Sequence, residues 1–197
     1  MDIMVNVRVY TKQKIMANMV PRINSQARVI FERTKAQILD DFEAHPVTQA
    51  LRTHSGIEGL DSDEGTLFGF IGFNAGENPA EQLREMLVES IDYDSARQTG
   101  PSTIYFAYTL PDKEKIFENT HSPWAEGRSW VEMLETGGIP GVGQYLGIPG
   151  KGLSKEGIQG TAKVRQGKFG PMKYISSILN NADKKIRQKL NEELIFT

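Results

Sequence analysis

The chain has 197 residues, 39% of them apolar and 24% charged, with a net charge of −2. That is long enough for one domain with a real core, and the near-neutral balance gives no reason to expect nucleic-acid binding. The absence of cysteine removes disulfides, thiolate metal sites and a cysteine nucleophile, and no apolar run approaches the roughly 20 residues of a membrane span.

The first segment, "MDIMVNVRVYTKQK", lacks the basic start and long apolar stretch of a signal peptide, which predicts a protein made in the cytoplasm or built into something assembled there. Within it, Val5 to Tyr10 alternate apolar and polar, which predicts a strand with Val5, Val7 and Val9 on one face. From Pro21 onward, Ile23, Ala27, Ile30, Thr34, Ile38 and Phe42 recur at spacings of three and four, predicting an amphipathic helix of about six turns that ends at Pro46. "TLFGFIGF", Thr66 to Phe73, reads as a strand, and Pro79 to Tyr93 as a helix with Leu83, Met86, Leu87 and Ile91 inward. "QTGPS" breaks the chain before a second strong strand, "TIYFAYTL", and "DKEKIFENT" reads as a polar turn or a short helix. "SPWAEGRSWVEMLETG" has helical spacing and stops at Gly137–Gly138. Eleven of the nineteen glycines then fall between Gly137 and Gly170, where "IQGTAKVRQG" reads as one more strand. The last helix carries Tyr174, Ile175, Ile178, Leu179, Ile186 and Leu190 inward.

This order predicts a single domain over residues 1–197 of the α+β class, with helices packed on a small, mainly antiparallel curved sheet. Residues 135–160 are expected to form a long Gly/Pro-rich interaction loop within it.

The chemical motifs fail when tested. A phosphate-binding loop needs Gly-Lys followed by Ser or Thr, but Gly150–Lys151 is followed by Gly152, and Tyr145 stands where the first glycine belongs. In "GVGQYLG" the third glycine comes one residue late for a dinucleotide fingerprint. His45, His54 and His121 lack the spacing of a zinc pair, Asp61 to Glu64 lacks the register of a calcium loop, and no serine sits in a nucleophile elbow. Lys163, Arg165, Lys168 and Lys173 near Phe169 read as a solvated strand edge. Phe68, Phe70, Phe73, Tyr105, Phe106 and Tyr108 read as core. These readings predict no catalytic residue, no cofactor and no metal. The loop's apolar residues Ile139, Val142, Tyr145, Leu146 and Ile148, with Trp124 and Trp130, are the interface candidates; one of the two tryptophans is expected in the core.

The succession "FEAHPVTQAL", "GTLFGFIGF", "WAEGRSWVEMLETG" and "GKFGPMKYISSIL" resembles the tail-completion or neck proteins of tailed bacteriophages, among them virion structural proteins of myophages. The resemblance covers most of the chain, which departs from it by the Gly/Pro loop and the helix from Pro79 to Tyr93. It implies a non-enzymatic virion protein forming a hexameric or dodecameric ring at the head–tail interface, as neck, tail-completion or tail-terminator protein. It implies as partners copies of itself, the portal or connector, and tail tube or sheath proteins, with DNA passing the lumen unbound. Two other classes stand beside it: a small enzyme holding an anionic substrate at the Gly-rich loop, and a cytoplasmic binding module acting on a partner's edge strand.

Overall fold

The computed structural model describes residues 2–11, 15, 17–53, 67–74, 76–123, 125–138 and 171–194. Along the chain run β1 (Ile3–Tyr10), α1 (Val20–Ala44) after a short 3-10 turn, α2 (Pro46–Thr53), α3 (Leu67–Ile71) and α4 (Pro79–Ser90). Then follow β2 (Asp92–Gly100), β3 (Thr103–Leu110), α5 (Lys113–Glu118), β4 (His121–Ser122), β5 (Ala125–Ser129), α6 (Trp130–Thr136) and α7 (Ile175–Glu193). The fold is α+β with small antiparallel sheets. Where the sequence reads as one domain, the described contacts divide the chain into two compact units.

The first unit comprises Met1–Ala44, Glu81–Ile116 and Ile175–Thr197. Its sheet has the order β1-β3-β2, with Ile3 opposite Leu110 and Tyr10 opposite Thr103. Strand alternation turns Val7, Val9, Tyr93, Ile104, Phe106, Tyr108 and Leu110 inward, and all are buried. Against that face α1 sets Ile23, Ala27, Ile30, Phe31 and Ile38, and α7 sets Ile178, Ala182, Ile186 and Leu190. The Phe31 ring lies 5.6 Å from Tyr93 and 5.8 Å from Tyr108. The helices cover one face of the sheet because their apolar stripes are one-sided.

The second unit comprises His45–Ala80 and Phe117–Tyr174. Its core is aromatic: Trp130 meets Phe73 edge-on at 5.7 Å and Tyr174 at 6.4 Å, and Phe68 stands 5.3 Å from Phe73. Buried Thr48 and Tyr174 share a hydroxyl hydrogen bond of 2.6 Å.

Several expectations are corrected. "TLFGFIGF" contains the helix α3, which ends at Gly72 with φ of 92°, a left-handed conformation that glycine adopts without strain. "WAEGRSW" is not helical throughout: Ala125–Ser129 is β5, and the helix begins only at Trp130. Ser129 sets that boundary. Its Oγ accepts from the Glu132 amide at 3.1 Å, in the Ser-x-x-Glu spacing of a helix N-terminus. Strand β2 and helix α2 are elements that the sequence pattern does not announce, and Tyr105 lies on the outer face of the sheet instead of in the core.

Candidate interaction surface

The interface candidates Ile139, Val142, Tyr145, Leu146, Ile148 and Trp124 lie outside the described residues, as do residues 139–160 of the expected loop and the strand expected near Val164. Trp130 is described, and it is corrected to a core residue: it is 2% exposed, locked between Phe73 and Tyr174. Of the aromatics expected in the core, Phe68, Phe106 and Tyr108 are there and Phe73 is half-buried.

Among the described residues, apolar exposure concentrates on β1. Four large apolar side chains stand well exposed among the described residues, and three of them are on β1: Ile3 at 52%, Met4 at 61% and Tyr10 at 69%. The fourth, Val29, is on α1 beside Ser25, Gln26 and Arg33. Strand β1 pairs with β3 on one side only, so its other edge is open among the described residues.

The face of the sheet away from the helices presents Met4, Asn6, Arg8 and Tyr10 from β1, and Thr103, Tyr105, Ala107 and Thr109 from β3. Arg8, Tyr105 and Arg97 stand in one cross-strand row. The Arg8 guanidinium lies 4.8 Å and that of Arg97 5.7 Å from the Tyr105 ring centre, so a single ring takes two cations. Arg8 donates from Nε to the Tyr105 hydroxyl at 2.8 Å and from a terminal nitrogen to Tyr10 at 3.1 Å.

The two edges of this sheet differ. The β2 edge is broken by register shifts at Tyr93/Ser95 and Gln98/Gly100. Asn24 of α1 also seals it: its Oδ1 accepts from the Ala96 amide at 2.8 Å and from the Tyr93 hydroxyl at 2.9 Å. Burial pushes the Tyr93 pKa up, so that hydroxyl stays a donor. Such bulges and side-chain covers are how a natural sheet protects an edge from pairing. Among the described residues the β1 edge has neither: its register against β3 is unbroken over eight residues, and no described side chain is seen to cap its open side.

Beside the first half of β1 opens a cleft of about 420 Å³, lined among others by Ile3, Val5, Leu110, Leu179 and Asp183. Asp183 accepts from the Tyr108 hydroxyl and from Arg187 Nε, both at 2.7 Å. Burial and then this carboxylate push the Tyr108 pKa up. The carboxylate is thus held by two donors.

His121 is exposed on β4, and His54 lies outside the described residues. His45 stands at the start of α2, where its Nδ1 accepts from the Val47 amide at 3.2 Å. Among the described residues no group of three or more His, Asp or Glu is placed to hold a metal ion, and no helix is long and apolar enough to cross a membrane. Comparison with known proteins finds no matching family model, no similar curated protein and no similar solved structure.

Proposed function

We propose that this chain is an assembly protein that works by fitting to copies of itself and to neighbouring proteins, and that its setting is the ring at the head–tail interface of a tailed bacteriophage. The observation that carries the assembly reading is the β1 edge, left open among the described residues, with Ile3, Met4 and Tyr10 exposed on that strand. A strand left unprotected and apolar is a liability in a monomer and an asset in an interface. The phage setting draws its support from the sequence segments alone: "FEAHPVTQAL", "GTLFGFIGF", "WAEGRSWVEMLETG" and "GKFGPMKYISSIL". In this reading the virion is where the protein acts, the portal or connector and the tail tube or sheath are its neighbours, and no bond is made or broken. Mass photometry and negative-stain microscopy of the purified chain test it. Closed rings, or incorporation into phage particles, are the expected result. A monomer at every concentration that turns over a substrate would overturn it.

A further inference from the structure

We propose that β1 pairs antiparallel with β1 of a second copy, about a two-fold axis at Val7. This deepens the assembly reading: it rests on copies of this chain associating and is independent of the phage setting. The geometry is set by the ladder. The Thr11 amide donates to the Ser102 carbonyl at 3.0 Å, in the same register that pairs β1 with β3. Antiparallel hydrogen-bonded pairs recur at every second residue, so Val9, Val7, Val5 and Ile3 turn their peptide groups to β3. Met4, Asn6, Arg8 and Tyr10 turn theirs to the open edge, where no described strand meets them.

The sequence of β1 is self-complementary about Val7. An antiparallel partner in that register sets Met4 opposite Tyr10, Asn6 opposite Arg8, and Val5 opposite Val9. Both exposed apolar residues of the outer face, Met4 and Tyr10, therefore meet each other twice, once at each end. The two Arg8 side chains are kept apart, each facing an asparagine. Centring instead on Arg8 would set like charges opposite one another, and centring on Val5 or Asn6 would leave Tyr10 without Met4. A one-residue slip is forbidden, because it pairs outward peptide groups with inward ones and swaps the faces. On the inner face, the cleft beside Ile3 and Val5 leaves space at the first half of the strand for a neighbour. The other edge offers no equivalent, since Asn24 and two register shifts occupy it. The product is one continuous six-stranded sheet. Its contact is smaller than a standard stable interface, so dimerisation through it alone is weak, roughly micromolar or weaker.

The chain has no cysteine, so introduced thiols are unambiguous. Met4→Cys and Tyr10→Cys chains are prepared separately, mixed and oxidised. Opposed residues of a hydrogen-bonded pair stand about 5.5 Å apart, within disulfide reach, so the mixture links into a dimer while either variant alone does not. A parallel pairing would link each variant with itself, and a two-residue slide would set the two introduced thiols on diagonal positions about 7–8 Å apart; either result overturns the proposal. The second variant is Asn6→Pro. Its lost amide faces the open edge, so the ladder to β3 keeps every bond while strand addition is blocked. In sedimentation velocity its association is expected to shift by at least about tenfold to higher concentration. Oligomers unchanged in Asn6→Pro, with no disulfide formed in the Met4→Cys and Tyr10→Cys mixture, would overturn the strand pairing and leave the assembly reading standing. A wild-type chain that stays monomeric throughout would overturn both. Should Asn6→Pro fail to fold, the cysteine mixture decides alone.

Discussion

His45 shows how one side chain can set a pH response. It precedes Pro46, which takes the first position of α2, and its Nδ1 caps the next amide. That bond needs an unprotonated nitrogen. The half-buried ring lies 4.8 Å from Tyr174, and burial lowers its pKa below the usual histidine value. The unfolded chain therefore binds a proton more readily than the folded one, and stability rises with pH through that interval. In the linkage sense the contribution is fully present above the unfolded histidine value near 6.5 and declines as pH falls below it. His45→Asn keeps a capping oxygen but cannot titrate in this range. Urea unfolding from about pH 7.5 down to about pH 5 is expected to show wild type losing more stability than His45→Asn, with the two similar at the upper end. Parallel losses in both would show that His45 is not the titrating group.

At the scale of elements, the two edges of the sheet are guarded differently, and Asn24 is the residue that makes the difference at β2. It is half-buried, and its single side-chain oxygen satisfies two donors. Asn24→Ala leaves both without a partner and is expected to cost about 1–3 kcal/mol in chemical denaturation. Asn24→Asp retains an acceptor and is expected to recover most of that; no loss in Asn24→Ala would mean solvent serves the two donors equally well. Strand β2 is also the element least legible in the sequence. Asp92, Asp94 and Arg97 interrupt any apolar alternation, and Tyr93 is its one buried residue. Edge strands with one wet face and bulges carry little periodic signal. The long helices α1, α4 and α7 are legible because each repeats its stripe over several turns, and β1 and β3 because they alternate without a break. "LFGFI" reads as strand because five residues are too few for period to separate helix from strand, and aromatic content then favours the wrong one. The alternation of β1 is plain from the residues. That its edge stays open is not, because openness depends on β3 lying almost a hundred residues away and on no other described strand coming alongside.

For the whole molecule, the small net charge and the open edge combine into a prediction about heat. A charge of −2 on 197 residues offers little net repulsion between copies. A two-fold contact joins copies in pairs and cannot by itself close a ring; a second, heterologous contact would do so. With both, two rings would meet through their β1 strands, giving an even number of subunits in two layers. Either assembly couples folding to concentration, because association draws on folded chains alone and each tenfold rise in concentration stabilises them by mass action. For a chain of this length, about 1 kcal/mol moves the thermal midpoint by about 2–4 °C. Scanning calorimetry of the wild type over a roughly hundredfold concentration range is therefore expected to raise the midpoint by a few degrees. Asn6→Pro, folded but blocked at the edge, is expected to give a flatter dependence. A wild-type midpoint that stays level while Asn6→Pro behaves identically would mean that the exposed residues of β1 contribute nothing to association. The apolar edge would then need an occupant other than a second copy.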